Sequence, residues 1–363
     1  MPRKITAGLA ALLLSLAGLL FGAAPSLASP YPHDSSVLAA QQPGGGTFVP
    51  LAGAPGTYKP DASNTGYVGT LTGSIGTPGS PLVITADNTV IDSKNIYGDV
   101  KVQARNVTIK NSYLHCGSYV PSGNSGCVDA NSPAVFGLKL FNNVIHPDTP
   151  SYYRDGVVGH EYYAARNHVW GTNDGFGVFN KPGGARAANT TIEANYVHDT
   201  VYFRNDPAHS DGTHNDGVQV RGGENIRIWA NNIVNTGIVG PAGTDPSKPG
   251  APGRHGHGCT IMLQNDTGVA LKNVVVEQNW LDDGLASICI KPGTVTVQNN
   301  NFLRNQWPYQ NVPGNQIYII RIDSRSGTVV NGLSTNKWED TGAALNEGRD
   351  AAGLPVHGIW YDG

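Results

Sequence analysis

The chain has 363 residues, with 24 Lys and Arg against 27 Asp and Glu. The formal net charge of −3 argues against nucleic acid as a partner, because phosphate binding needs a basic surface or stripe. Only 14 % of the residues are charged and 47 are Gly, a composition that fits a β-rich extracellular protein with polar turns.

Arg3 and Lys4 precede an apolar run from Ile5 to about Ala24, followed by the small-residue pattern Ser26-Leu27-Ala28. This predicts a secretory signal peptide over residues 1–28, cleaved after Ala28; Gly8, Gly18, Gly22 and Pro25 weigh against a membrane anchor. No later stretch is apolar and long enough to span a bilayer, so the expected product is secreted and free of the membrane. Removing two basic residues and no acidic one takes the charge from −3 to −5. Residues 29–65, rich in Pro, Gly, Gln and Ala, read as a leader and N-terminal cap over the first coil. Residues 66–363 then form one elongated, monomeric domain, closed by the C-terminal "GRDAAGLPVHGIWYDG", which would shield the last strand edges.

Seven phrases recur: "IKNSYL", "LFNNVI", "AARNHVW", "IEANYV", "IWANNIV", "VEQNWL" and "VQNNNFL". Each is an alternating apolar strand that runs into Asn and restarts. Aligned on the residue before the apolar pair, the column reads Ser112, Asn143, Asn167, Asn195, Asn232, Asn279 and Asn301. The competing reading, that Asn is common in turns, does not account for a column. Stacked coils of an all-β solenoid, a parallel β-helix, do: a buried Asn at each turn bonds the coils above and below and tolerates a left-handed backbone.

Spacing along the column locates loops. Asn279 and Asn301 are 22 residues apart, whereas Asn195 and Asn232 are 37 apart and Asn232 and Asn279 are 47 apart. Two insertions, 199–215 and 236–257, are therefore expected to wall a groove over one sheet. If Val178, Val220, Ile261, Ile290 and Ile322 face the core, alternation places Gly177, Gln219, Cys289 and Arg321 on one row of the floor. Phe179, Arg221, Lys291 and Asp323 form the next. Four cysteines in an exported chain predict disulfides. Cys116 and Cys127 bracket a loop with little core of its own and are expected to pair; Cys259 and Cys289 are either paired or buried thiols.

Asp-Gly precedes several of these strands, at Asp155, Asp174, Asp216 and Asp283. Such a dipeptide can be a turn and nothing more. On coils stacked about 4.8 Å apart, however, Asp174 and Asp216 become neighbours, with Asp211, His209 and His214 arriving from an insertion. Like charges that close raise each other's pKa or recruit a cation, and Asp174, Asp211 and Asp216 are the ligands expected of a calcium ion. His257 and Lys291 complete the set. No zinc-spaced Cys and His, no Gly-x-Ser-x-Gly elbow and no phosphate loop occurs, and no organic cofactor is expected.

The Asn-laddered coils, roughly residues 80–335, resemble the pectin lyase-like right-handed parallel β-helix superfamily of polysaccharide lyases and hydrolases. Within it, the order "TNDG", "HNDG", "GHG", "IK" is similar to the polygalacturonases (glycoside hydrolase family 28), whose motifs are Asn-Thr-Asp, Asp-Asp, Gly-His-Gly and Arg-Ile-Lys. The resemblance implies catalytic roles for Asp174, Asp216, His257 and Lys291. The sequence departs from that pattern at Asn215, where the family has its general acid, and at Cys289, where it has Arg. Three functions follow as expectations. One is a lyase acting by β-elimination on an acidic, uronate-containing polysaccharide, with Arg221 or Arg321 on the substrate carboxylate and Lys291 as base. The second is an inverting hydrolase, and the third a non-catalytic glycan-binding solenoid. His214 and Tyr202 are expected to contact sugar.

Overall fold

A computed structural model describes residues 56–118, 121–179, 188–203, 206–210, 212–235, 238–239, 258–266, 268–303, 319–323, 327–347 and 358–362. The signal segment 1–28, Asp211, His255 and His257 lie outside these. Sheets of eleven, nine and ten strands carry nearly all regular structure, with strands of successive circuits as neighbours. Adjacent strands within them are parallel, as at Val157↔Phe176, Tyr163↔Thr191 and His168↔Tyr196. The chain is a parallel β-helix, and one circuit runs through Phe176–Val178, Thr190–Glu193 and Tyr196–His198, on the first, second and third sheets. No helix among the described residues is long and apolar enough to cross a membrane.

Alternation explains the strands. Val157, Phe176, Val218, Ile261, Ile288 and Ile320 stack as one inward row of the first sheet, all with 0 % exposure. Each such side chain contributes about 1.5–3 kcal/mol relative to exposure, so the core is a continuous apolar column. Val178, Val220, Ile290 and Ile322 form the adjacent row, joined by Leu263.

The ladder exists, with two members displaced by one residue. Its file is Ser112, Asn143, Asn167, Asn195, Asn231, Asn279, Asn300 and Asn336, all fully buried. Asn231 Oδ1 accepts the Asn195 backbone N–H at 2.9 Å and side-chain Nδ2 at 3.0 Å, while its own Nδ2 donates to Ile192 O and Asn279 Oδ1, both at 2.9 Å. Asn232 and Asn301 instead point outward, Asn232 donating to Pro60 O at 2.7 Å. The strand period is two, so a one-residue shift would have turned Ile233 and Phe302 out of the core. The constant feature is Asn followed two residues later by an apolar residue, such as Ile145, Val169, Val197, Ile233, Leu281, Phe302 or Trp338.

The left-handed residue at this corner is also not the ladder Asn. It is the residue before it: Asn142, Arg166, Ala194, Ala230, Gln278 and Asn299 all have φ between 50° and 57°. The ladder Asn supplies the bonds, and its predecessor makes the bend.

Described residues 56–67 run lengthwise along the coils. Gly66 N–H bonds Arg166 O at 2.9 Å, Pro60 O meets Asn232, and Lys59 pairs with Glu339 at 2.9 Å. Cys116 and Cys127 form a disulfide, as do Cys259 and Cys289. Two disulfides fit an oxidising compartment.

Candidate functional site

The outer face of the first sheet carries two polar rows in register. Gly177, Gln219, Met262, Cys289 and Arg321 make the first. Phe179, Arg221, Gln264, Lys291 and Asp323 make the second, held by N–H bonds of Phe179 to Gly159 O, Arg221 to Val178 O, Gln264 to Val220 O and Lys291 to Leu263 O. Charged groups are thus set at coil intervals, about 4.8 Å apart. Arg221 lies over the Phe179 ring at 5.2 Å and is clamped by Asp266, Nη2 to Oδ2 at 2.9 Å. Lys291 is exposed, its Nζ donating to Gln264 Oε1 at 3.2 Å. The Cys259–Cys289 bridge sits in this floor, in a small apolar cluster with Ala286 and Met262 separate from the main core.

Beside the floor, at the entry to each strand, stands a file of carboxyls. Asp155 Oδ1 accepts the Asp174 backbone N–H at 3.1 Å, Asp174 Oδ1 that of Asp216 at 2.8 Å, and Asp216 Oδ1 that of Cys259 at 2.7 Å. Gln219 Nε2 donates to Asp216 Oδ2 at 3.1 Å. All three are buried, with exposures of 7 %, 5 % and 2 %. Loss of solvent pushes Asp155 up to about 6, against hydrogen bonds that favour its anion. It pushes Asp216 up to about 7, with Lys291 among the groups that oppose the rise. Asp174, between the other two, is raised well above the ordinary carboxyl value by burial first and by both neighbouring carboxylates next.

The glycine of each Asp-Gly serves this stacking. A methyl on Gly156 would meet Gly175 O, and one on Gly175 would meet Gly217 O, while none of the three glycines has positive φ. Close approach of coils, not a left-handed turn, requires glycine here. Asp155, which the sequence left as a turn residue, belongs to the file. Asp283 does not: it caps its own bend by accepting Gly284 N–H at 2.9 Å.

Asn215 is an anchor of this corner. Its Nδ2 donates to Asn173 O and Val201 O, each at 2.8 Å, and its Oδ1 accepts from Thr213 Oγ1 at 3.1 Å. Reasoning from sequence missed a second anchor, the buried pair Arg154–Asp99, Nε to Oδ1 at 2.9 Å, one position before Asp155. Neither Arg-Asp at that separation nor Asn in a turn carries a pattern that would have revealed it.

The insertions leave the third sheet side by side, since Val201 pairs with Ile238 and Tyr202 with Val239 in a small parallel sheet of their own. Most of the second insertion, residues 240–257, lies outside the described residues, and with it His257. Tyr202 corrects its expected role. It is fully buried, with its ring against Gly212, so no face is presented to a sugar. His214 is exposed and stacks on His209 at 4.4 Å, which in turn pairs with Asp206 at 2.6 Å. Arg321 is half-buried on the floor. For calcium, Asp174 and Asp216 spend carboxylate oxygens on backbone N–H groups, and no three His, Cys, Asp or Glu side chains among the described residues converge to hold a metal. Asp211 lies outside them.

The chain matches no protein-family model and no curated protein.

Proposed function

We propose that the protein is an exported enzyme that cleaves an acidic polysaccharide laid along the first sheet, by β-elimination at a uronate. The observation that supports this is the in-register row Arg221, Gln264, Lys291, Asp323 beside Gln219 and Arg321. A polymer of repeating carboxylates is met by cations repeating on a rigid scaffold. In this reading Arg321, one coil step from Lys291, neutralises the substrate carboxylate and so acidifies C5, with Arg221, three coil steps from Arg321, the alternative for that role. Lys291 takes the C5 proton; the C5–H electron pair becomes the C4–C5 double bond as the C4–O bond breaks. The departing oxygen takes a proton from a buried carboxyl, for which Asp216 is suited by its raised pKa. Calcium, if used, would have to reach Asp211, and His257 would act from the neighbouring insertion.

The raised pKa of Asp216 also favours a second reading, an inverting hydrolase with Asp216 as acid.

The test is digestion of polyuronates and neutral glycans by the purified protein, with and without chelator. Both ultraviolet absorbance of an unsaturated uronide and new reducing ends are followed. Absorbance lost in Lys291→Ala supports elimination. Reducing ends without absorbance favour hydrolysis, and no product from any polymer leaves a binding solenoid.

A further inference from the structure

The outer face of the third sheet carries a file of rings from successive coils, remote in function from the first-sheet floor. Tyr97 and Tyr113 stack on His115 at 4.5 and 4.2 Å, His146 on Trp170 at 4.5 Å, and Tyr196 on His198 at 4.4 Å. Rings stacked on one another turn their edges outward, so this face presents nitrogens and hydroxyls rather than flat surfaces for sugars. At one point two of those edges meet: His168 Nε2 and His198 Nε2 are 2.7 Å apart. His198 Nδ1 is bonded to Asp199 Oδ2 at 2.8 Å, which places its proton on Nδ1 and leaves a lone pair on Nε2. His168 must therefore supply the single proton between them. Both imidazoles are half-buried, on adjacent strands of a rigid sheet.

We propose that His168 and His198 form a surface site for a divalent transition metal of the class that prefers imidazole, such as zinc or nickel. The rings now meet head-on, with centroids 5.0 Å apart; two Nε2 ligands at about 2.0–2.1 Å from a metal stand about 2.9–3.3 Å apart, so the rings part by a few tenths of an ångström and each swings by about 35–45° to aim its lone pair at the metal. The metal takes the place of the shared proton, which moves to His168 Nδ1, and no proton is released. Asp199 plays the part of the carboxylate that commonly orients a metal-bound imidazole. Water fills the remaining positions. His115 shows the contrast: Asp148 holds its Nδ1 at 3.0 Å, but its Nε2 is spent on Asn95 Oδ1 at 3.2 Å.

Calorimetric titration of the tag-free protein with ZnCl2 and with NiCl2 tests this. One saturable site is expected, weakened at least tenfold by His168→Gln and by His198→Gln, about tenfold by Asp199→Asn, and unchanged by His115→Gln. In the unaltered protein, Ni2+ should broaden the imidazole signals of His168 and His198 before those of any other histidine. Absence of a saturable site, retention of affinity in either Gln variant, or first broadening at other histidines would overturn the assignment.

Discussion

The Asp174 carboxylate accepts the backbone N–H of Asp216 at 2.8 Å, across the step from one coil to the next. Asp216 does the same for Cys259, and Asp155 for Asp174, so carboxyls join coils at one corner as amides do at the ladder corner. An amide cannot titrate near neutrality and a carboxyl can. Burial then converts a structural file into a set of acids that stay protonated unusually high.

Stability should consequently depend on pH in a direction opposite to that of ordinary paired carboxylates. Asp216 titrates at about 7 in the folded chain against 3.8 as a model group, so folding binds a proton that the unfolded chain releases. The contribution is full below about pH 3.8 and is lost progressively as pH rises from there to about 7. The thermal midpoint should fall from about pH 5 to about pH 7, inside that window, and Asp216→Asn should flatten the change. Parallel curves for the two proteins would show that Asp216 does not take up the proton.

The ladder register is open to a direct comparison. Asn231→Leu strips four buried bonds and strands the backbone groups they served, at about 1–3 kcal/mol for each group left unpaired. Asn232→Leu loses the bond to Pro60, at about 1 kcal/mol. Denaturant unfolding of both variants should rank them in that order, and equal losses would contradict the file.

Gly175→Ala tests the reason for Asp-Gly. A methyl there meets Gly217 O and Val197 Cγ1 of the next coil, with backbone on one side that cannot yield. A loss of at least about 2 kcal/mol is expected, comparable with overpacking of a core. Wild-type stability in this variant would mean that the coils can part at this corner.

The floor disulfide closes a separation of 30 residues, which in the chain-entropy view contributes about 3–4 kcal/mol. Replacing Cys259 and Cys289 by Ala should lower stability by that order, measured by denaturant unfolding. Because Lys291 follows Cys289 by two residues, turnover of any substrate found should fall further than stability alone predicts at a temperature where both proteins are folded.

The sequence by itself determined the solenoid, because a column of Asn beside apolar residues is a local pattern repeated often enough to exclude coincidence. It also indicated the floor rows, since strand alternation is period two, but not the register of one coil: Leu263, not Ile261, stacks on Val220, which brings Met262 and Gln264 to the floor. It did not determine which Asn of a doublet belongs to the ladder: "ANNIV" and "QNNNF" satisfy the Asn criterion at adjacent positions, and only stacking of Ile233 on Val197 and Phe302 on Leu281 selects Asn231 and Asn300. Tertiary structure alone decided that Asp155 joins Asp174 and Asp216, that Tyr202 is buried, and that His168 meets His198, residues 30 apart in the chain. Each of these depends on the residue count of one particular coil, which sets what lies above what, and an irregular repeat does not carry that count in any local signal.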